Sequence, residues 1–233
     1  ATAAFAQSSV TLYGIADAYV GQVKGFGAGT TQTVVNSSGL SESRIGLSVK
    51  EDLGAGLQAF AVFENAYSVD DGTGATGNRK SVLGLTGSFG TVSLGNQESP
   101  FRNVVENVLD AQSVSAFSAV LGMVDAPNGV VIGSNLPIGT QRIANSVRYD
   151  TPNFDGFSAA VQLGLGENKN TIPNPGRAAR DTSFNVQYAN GPLALALAHE
   201  INETLAGVNT RVTATALAGS YDFGVAKLNL GFI

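Results

Sequence analysis

Long segments in which apolar and polar residues alternate run through most of the sequence. The stretch S-R-I-G-L-S-V-K, residues 43–50, is typical, because an apolar side chain falls at every second position. Such alternation indicates a β-strand with one apolar face, whereas an amphipathic helix repeats its apolar residues at i, i+3 and i+4. Very little of the chain fits the helical spacing, so the pattern predicts an all-β fold.

Eleven alternating segments can be assigned, and most of them are too long for an ordinary soluble sheet. They cover approximately residues 9–21, 41–52, 56–68, 78–87, 90–98, 141–150, 156–166, 181–190, 192–201, 209–221 and 225–233. Strands of soluble sheets usually have about 5 to 6 residues, whereas a tilted strand needs roughly 9 to 11 residues to cross a bilayer. The lengths therefore favour membrane-spanning strands.

The connections between these segments alternate strictly between short and long. Turn-like connections such as D-L-G-A and D-F-G follow the even-numbered segments. Longer connections follow the odd-numbered segments and cover about residues 22–40, 69–77, 99–140, 167–180 and 202–208. All the short turns then lie at one end of an antiparallel up-and-down sheet, as in an outer-membrane β-barrel. In a bilayer, lipid would cover the apolar face, for which the chain offers no helix.

The composition excludes several other classes of protein. Charged residues make up only 13% of the chain, and the net charge of −5 provides no basic field for nucleic acid, which is therefore not an expected partner. No apolar run approaches the roughly 18 residues of a membrane-spanning helix. The absence of cysteine excludes a disulfide scaffold and a thiolate zinc site.

The N-terminal stretch A-T-A-A-F-A-Q has the small-x-small pattern that ends a secretory signal. Under this interpretation residues 1–6 are the remnant of a signal peptide, the mature chain begins at Gln7, and the protein is exported. The alternative is a flexible, alanine-rich terminus without any targeting role.

Several motifs, in a fixed order, resemble those of the general diffusion porins of the Gram-negative outer membrane, particularly the sixteen-stranded betaproteobacterial type. The resemblance covers nearly the whole chain. The motifs are S-S-V-T-L-Y-G-I-A-D-A, S-R-I-G-L-S-V-K-E-D-L-G-A-G-L-Q-A, V-L-G-L-T-G-S-F-G-T-V-S-L-G-N-Q, N-S-V-R-Y-D-T-P-N-F-D-G-F, Y-A-N-G-P-L and S-Y-D-F-G.

The resemblance implies a trimer of barrels in the outer membrane, each with a water-filled pore that a third external loop narrows by folding inward. It implies passive diffusion of small hydrophilic solutes and ions, with outer-membrane lipid as the other partner and no cofactor. The barrel domain is then residues 7–233, and the inward loop is residues 99–140. Because about eleven of sixteen strands are present and the sequence stops within a strand, we expect a fragment that lacks about five strands.

The resemblance also suggests which residues line the pore. Arg44 matches an arginine on the second strand of family members, Arg79 one on the fourth, and Arg142 lies near one on the sixth. Ser48 and Asn96 stand where the family often has arginine, so we expect a less basic pore, and the sign of its ion selectivity stays open.

Alternation and energetics support lumen positions for most of these cations. A charge at the lipid-facing midplane costs about 2 to 4 kcal/mol, so the arginines must face the lumen or lie at the rim. Their parity agrees with this for Arg44, Lys50, Arg142 and Arg148. For Arg79 the alternation is ambiguous, because regular alternation would put it on the same face as the apolar residues Leu83 and Leu85. We place Arg79 in the lumen mainly on the resemblance.

The expected acidic residues lie on the inward loop and on the wall. The resemblance implies that acidic groups on this loop face the wall arginines, which makes Glu106 and Asp110 the candidates opposite them. The stretch N-V-V-E-N-V-L-D, residues 103–110, has the spacing of a short helical turn that would place both acids on one side. Asp17 and Glu64 are predicted on the pore wall, with Arg148 and Lys50 as further lining residues, and Asp125 is a further loop acid. The alternative for each of these charges is a solvated rim or loop residue.

No pattern in the sequence indicates an enzyme or a metal site. The single histidine, His199, has no cysteine partner and no evident triad, and the glycine-rich stretches lack the context of a nucleotide or calcium site. We therefore expect a channel without catalytic activity. The alternative is a surface adhesin or structural β-protein built as a sandwich or solenoid, although no repeat of 20 to 50 residues supports a solenoid.

Overall fold

A computed structural model describes residues 8–24, 31–109, 142–166, 180–204 and 210–233. Within these ranges the chain forms thirteen β-strands, a short α-helix and a π-helical turn. The strands are β1 (Ser9–Ile15), β2 (Ala18–Lys24), β3 (Thr31–Ser37), β4 (Arg44–Gly54), β5 (Leu57–Tyr67), β6 (Gly74–Gly87), β7 (Gly90–Glu98), β8 (Arg142–Asp150), β9 (Phe157–Gly164), β10 (Asp181–Asn190), β11 (Leu193–Thr204), β12 (Thr210–Asp222) and β13 (Lys227–Phe232). The helix α1 (Pro100–Val104) continues directly into the π-turn (Val105–Leu109).

Eleven of the strands form one antiparallel sheet in the order β1-β4-β5-β6-β7-β8-β9-β10-β11-β12-β13. Each strand pairs with its neighbour in this order, so the sheet is an up-and-down meander with β1 and β13 as its edges. The predicted all-β class and the count of eleven strands in the main sheet are confirmed, although β1 and β13 have only 7 and 6 residues. The described residues of β1 and β13 are not paired with each other, so the sheet is open.

The two faces of the sheet differ in side-chain size and polarity. We call the face that carries α1 the inner face, and the opposite one the outer face. Large apolar side chains project from the outer face, where Leu83, Leu217 and Leu230 are 62%, 61% and 64% exposed. An apolar surface that extends over a whole sheet is unfavourable in water and suits contact with lipid.

The first predicted strand, residues 9–21, is wrong in its extent. The chain leaves the sheet at Ala16 and Asp17, and β2 and β3 form a separate hairpin in which β3 lies within the predicted connection 22–40. The break is fixed by hydrogen bonds, since the backbone N–H of Asp17 donates to Ser43 Oγ at 2.9 Å. The connection predicted at 69–77 is also shorter than expected, because β6 begins at Gly74.

The main hydrophobic core of the described residues lies between the inward segment and the inner face of the sheet. We call α1 and the π-turn together, residues 100–109, the inward segment. Its apolar side chains pack on small residues of β11 and β12, and this core consists of Phe101, Val104, Val105, Val108, Ala196, Ala198, Ala216 and Ala218. The alanines, and Gly231 beneath Leu109, leave the room that the segment occupies.

Hydrogen bonds hold the inward segment at both of its ends. At the start, Phe101 N–H donates to Ser183 Oγ at 3.0 Å, and Asn185 Nδ2 donates to the carbonyl of Pro100 at 2.8 Å. At the end, Asn229 Nδ2 donates to the carbonyl of Val108 at 2.9 Å. The segment therefore connects the end of β7 to strands β10 to β13. No helix among the described residues is long and apolar enough to cross a membrane.

Candidate functional site

Charged side chains of both signs converge where the inward segment leaves β7. Contacts within 4 Å link seven of them, on strands β4 to β8 and in the turn before β4. The inward segment adds a separate ion pair that interacts electrostatically with Glu98 and Arg142, and we call the whole group the charged cluster. Its members are Glu42, Arg44, Glu64, Arg79, Lys80, Glu98, Arg102, Glu106 and Arg142.

Glu64 on β5 anchors the part of the cluster nearest to β1. Its carboxylate accepts a hydrogen bond from Arg79 Nε at 2.7 Å and another from the Tyr13 hydroxyl at 2.9 Å, and Arg44 Nε lies 3.8 Å away. The side chain of Glu64 is only 7% exposed. A carboxylate so far from water is tolerated because charged and hydrogen-bonding partners surround it.

Arg79 and Lys80 are adjacent in the sequence, yet both contact carboxylates of the cluster. The register explains this, because Glu64 pairs with Lys80 and the next residue of β5, Asn65, pairs with Asn78. Arg79 is therefore the extra residue of a β-bulge, and a bulge lets two successive side chains leave the normal alternation. The ambiguity in the parity of Arg79 is resolved by this irregularity of β6. Arg79 also forms an ion pair with Glu42.

Glu98, the last residue of β7, is shared by three cations. Its carboxylate oxygens lie 3.2 Å from Lys80 Nζ, 3.5 Å from Arg142 Nη2 and 3.9 Å from Arg79 Nη2. Glu98 is 15% exposed, so these cations, more than bulk water, compensate its charge. Glu98 joins the cations of β6 to that of β8.

The inward segment adds one cation and one carboxylate to the cluster. Arg102 and Glu106 form an ion pair with the i,i+4 spacing of a helix, and Ser99 Oγ caps α1 by accepting from Arg102 N–H at 3.1 Å. Burial raises the pKa of the Glu106 carboxyl above its usual range, and the neighbouring Arg102 guanidinium opposes that rise.

The structure brings most, but not all, of the predicted constriction residues together. Arg44, Arg79 and Arg142 meet Glu64 and Glu98, and Glu106 lies on the inward segment as expected from its spacing. The helical turn predicted over 103–110 is present as far as Leu109. The predicted residues Asp110 and Asp125 lie outside the described residues.

The predicted lining residues occupy three different positions. Asp17 lies between β1 and β2, where its carboxylate accepts from the backbone N–H groups of Gly39, Leu40 and Ser41 at 2.8 to 2.9 Å. Lys50 is exposed near the short turn that follows β4. Arg148 on β8 forms a two-point ion pair with Asp150 at 2.6 and 2.8 Å.

Four members of the charged cluster were not predicted from the sequence. Alternation placed Lys80 on the face opposite Arg79, which the bulge makes wrong. Glu42 and Glu98 sit at strand ends, where alternation carries no information. Arg102 could have been found from its spacing, because it precedes Glu106 by one helical turn in R-N-V-V-E.

The sequence matches the family described as Gram-negative porin over residues 1–233. It is 37% identical to outer membrane porin protein 32 of Delftia acidovorans over 97% of this chain and 64% of that protein. It is 33% identical to the major outer membrane protein P.IB of Neisseria lactamica over 79% of this chain and 53% of that protein. The chain thus spans less than two thirds of the length of these relatives.

Solved structures show the same fold. The anion-selective porin from Comamonas acidovorans superimposes with a TM-score of 0.80 at 34% identity, over 96% of this chain and 66% of that one. OmpT of Vibrio cholerae, in its trimer form, has a TM-score of 0.64 at 17% identity, which supports the fold alone. From the family match, these relatives and the eleven-stranded sheet, we conclude that the chain belongs to the Gram-negative porin family and is an outer-membrane protein.

Proposed function

We propose that the protein forms a passive diffusion channel for small hydrophilic solutes and ions, with the charged cluster on the wall of its pore. The observation that carries this proposal is the position of the cluster. It occupies the inner face of a sheet whose outer face is apolar, next to a segment that crosses that inner face. In a membrane, such a sheet would turn the cluster towards water.

The arrangement suits weak and rapid interactions with passing solutes. Every cation of the cluster is already paired with a carboxylate, so a solute meets a field from several charges and no single unpaired group. Two unit charges about 8 Å apart interact by roughly 0.5 kcal/mol at the dielectric constant of bulk water. Energies of this size bias passage by charge without holding the solute.

We further propose a weak preference for anions. The cluster has five cations, Arg44, Arg79, Lys80, Arg102 and Arg142, against four carboxylates, Glu42, Glu64, Glu98 and Glu106. The raised pKa of Glu106 reduces its negative charge further as the pH falls. A solved relative at 34% identity is named an anion-selective porin, which agrees with this sign.

The inward segment is proposed to be the first part of a constriction loop over residues 99–140, in a barrel domain that begins at Gln7. Arg44, Arg79 and Arg142 would then form one side of the narrowest part, and Arg102 with Glu106 the other. A homotrimer surrounded by outer-membrane lipid is the assembly that we propose, and the mass of the detergent-solubilised protein tests it.

The experiment that tests the channel function is incorporation of the purified full-length protein into planar bilayers and into liposomes. We expect stepwise current increases, and permeation of neutral sugars that becomes slower as the sugar becomes larger. A bilayer in which no steps occur, although the protein is folded and inserted, would contradict the proposal and would favour an adhesive or structural role.

A further inference from the structure

A cavity beside the charged cluster has the chemistry of a binding site for a particular class of solute. We propose that it transiently binds zwitterionic solutes with an apolar side chain, namely apolar amino acids and short peptides. This inference rests on the proposed channel function, because such solutes would reach the cavity from the pore.

The cavity lies between the inner face of β5–β8 and α1, and its volume is about 350 Å³. Ligand pockets commonly have volumes of about 300 to 1,000 Å³, so a small solute fits. Three apolar side chains on the inner face, Phe60, Val62 and Val82, line one part of it. Gly84 leaves room for the Phe60 ring, since a side chain at that position would collide with it.

An apolar patch on this face is unexpected in a water-filled pore. Several neighbouring side chains on the inner face are polar, among them Ser93, Gln97 and Gln162. Among the described residues, the inward segment packs on β10 to β13, and only Asn103 of that segment lies at the margin of the cavity near Phe60 and Val62. Contact with an apolar solute would remove this patch from water, which is favourable at roughly 25 cal/mol per Å².

Two ion pairs give the cavity charges of both signs. Lys80 Nζ lies 3.2 Å from Glu98, and Arg148 Nη2 lies 2.6 Å from Asp150. In each pair one partner is more accessible. Lys80 is 33% exposed and Glu98 15%, whereas Asp150 is 34% exposed and Arg148 13%.

The accessible ammonium and the accessible carboxylate are complementary to a zwitterion. The carboxylate of the solute would approach Lys80, and its ammonium would approach Asp150, while its side chain contacts Phe60 and Val62. Arg148 is held in place because it also donates to the carbonyl of Glu98 at 2.8 Å. Since Lys80 and Asp150 keep their own partners, binding is weak and the solute is released.

The test compares small solutes that each lack one feature. The full-length protein is studied in planar bilayers in about 0.1 M KCl, where the Debye length is about 10 Å. L-leucine, added at pH 7 to the short-turn side, is expected to reduce the single-channel current in a saturable manner. Glycine, 4-methylpentanoate and 3-methylbutylammonium lack the apolar side chain, the ammonium and the carboxylate respectively, and should each reduce it less at equal concentration.

Variants of the cavity residues Phe60 and Asp150 test whether leucine reduces the current by binding in the cavity. Phe60→Ser should abolish the reduction by leucine, and Phe60→Leu, which keeps an apolar side chain, should retain it. Asp150→Asn should weaken the reduction, whereas Asp155→Asn, on the exposed turn between β8 and β9, should leave it unchanged.

The inference is overturned if glycine reduces the current as strongly as leucine, or if Phe60→Ser responds to leucine like the original protein. The comparison of leucine with glycine needs no variant, so it decides the question even if Phe60→Ser does not insert. A protein without any channel current would instead contradict the proposed function itself.

Discussion

Arg79 and Lys80 are consecutive residues of β6, and both lie within 4 Å of the Glu98 carboxylate, at 3.9 and 3.2 Å. In a regular strand two successive side chains point to opposite faces of the sheet. The β-bulge at Arg79 removes this restriction and doubles the positive charge that β6 contributes next to Glu98. The charged cluster therefore depends on an irregularity of the strand.

Replacing Glu98 by Gln should increase the preference for anions. Three cations, Arg79, Lys80 and Arg142, would lose the carboxylate that they share, and the net charge of the cluster would rise by one. We expect the reversal potential under a KCl gradient to shift towards that of chloride, with a loss of stability of about 1 to 3 kcal/mol. Glu51→Gln, at an exposed position of β4, is the matched control and should change neither quantity.

The selectivity should also depend on pH through Glu106. Because its pKa is raised, Glu106 binds a proton at a higher pH than an ordinary carboxyl group, and the cluster then becomes more positive. As the pH falls below neutrality, the preference for anions should increase before exposed carboxyl groups, with pKa values of about 4, begin to titrate. Reversal potentials of the original protein and of Glu106→Gln over the same pH range test this, and an identical pH dependence would refute it.

Asp17 should control the order of the connection between β3 and β4. The backbone N–H groups of Ser41, Leu40 and Gly39 hold the pKa of its carboxyl below the usual range, so the charged form stabilises the folded loop. This stabilisation is present at neutral pH and is lost as the pH falls through the lowered pKa. In Asp17→Ala, hydrogen exchange at these three amides should become faster.

The same region supplies an internal control for that measurement. Ser38 N–H donates to the backbone carbonyl of Asp17 at 2.8 Å, and this hydrogen bond does not involve the carboxylate. Its exchange rate should change much less than that of Leu40. Equal acceleration at both amides would indicate general unfolding of the loop and would contradict a specific role of the carboxylate.

The small residues beneath the inward segment should set how far that segment projects from the wall. Ala198 is fully buried under it, so Ala198→Leu forces extra atoms into a packed contact, at a cost of about 1 to 3 kcal/mol. The larger side chain should push the middle of the inward segment away from the sheet, while Asn229 still holds its end. We therefore expect a lower single-channel conductance. Ala159→Leu on the outer face should alter neither conductance nor thermal stability.

Much of the fold could be predicted from the sequence because alternation and connection length report directly on a meander. The segment at residues 181–190 coincides with β10, and that at 90–98 with β7. The break at Asp17 could not be predicted, because it depends on contacts with residues 39–43, more than twenty positions away. Long-range hydrogen bonds override a local pattern of this kind.

The site was less predictable than the fold for a related reason. Arg44 and Glu64 follow the alternation of regular parts of β4 and β5, and both contribute to the cluster. Lys80 lies next to a bulge and Glu98 ends a strand, so their positions depend on register and tertiary contacts. From the sequence, Arg79 was assigned mainly on the resemblance, and the bulge gives a physical reason for its contact with Glu64.

The reversal potential of the full-length protein in a planar bilayer under a tenfold KCl gradient is the decisive test of an anion-preferring channel. A channel lined by the charged cluster, with its excess of one cation, should give stepwise insertions and a potential displaced towards the chloride equilibrium value. A potential displaced towards the potassium value, or the absence of any conducting steps, would contradict this account.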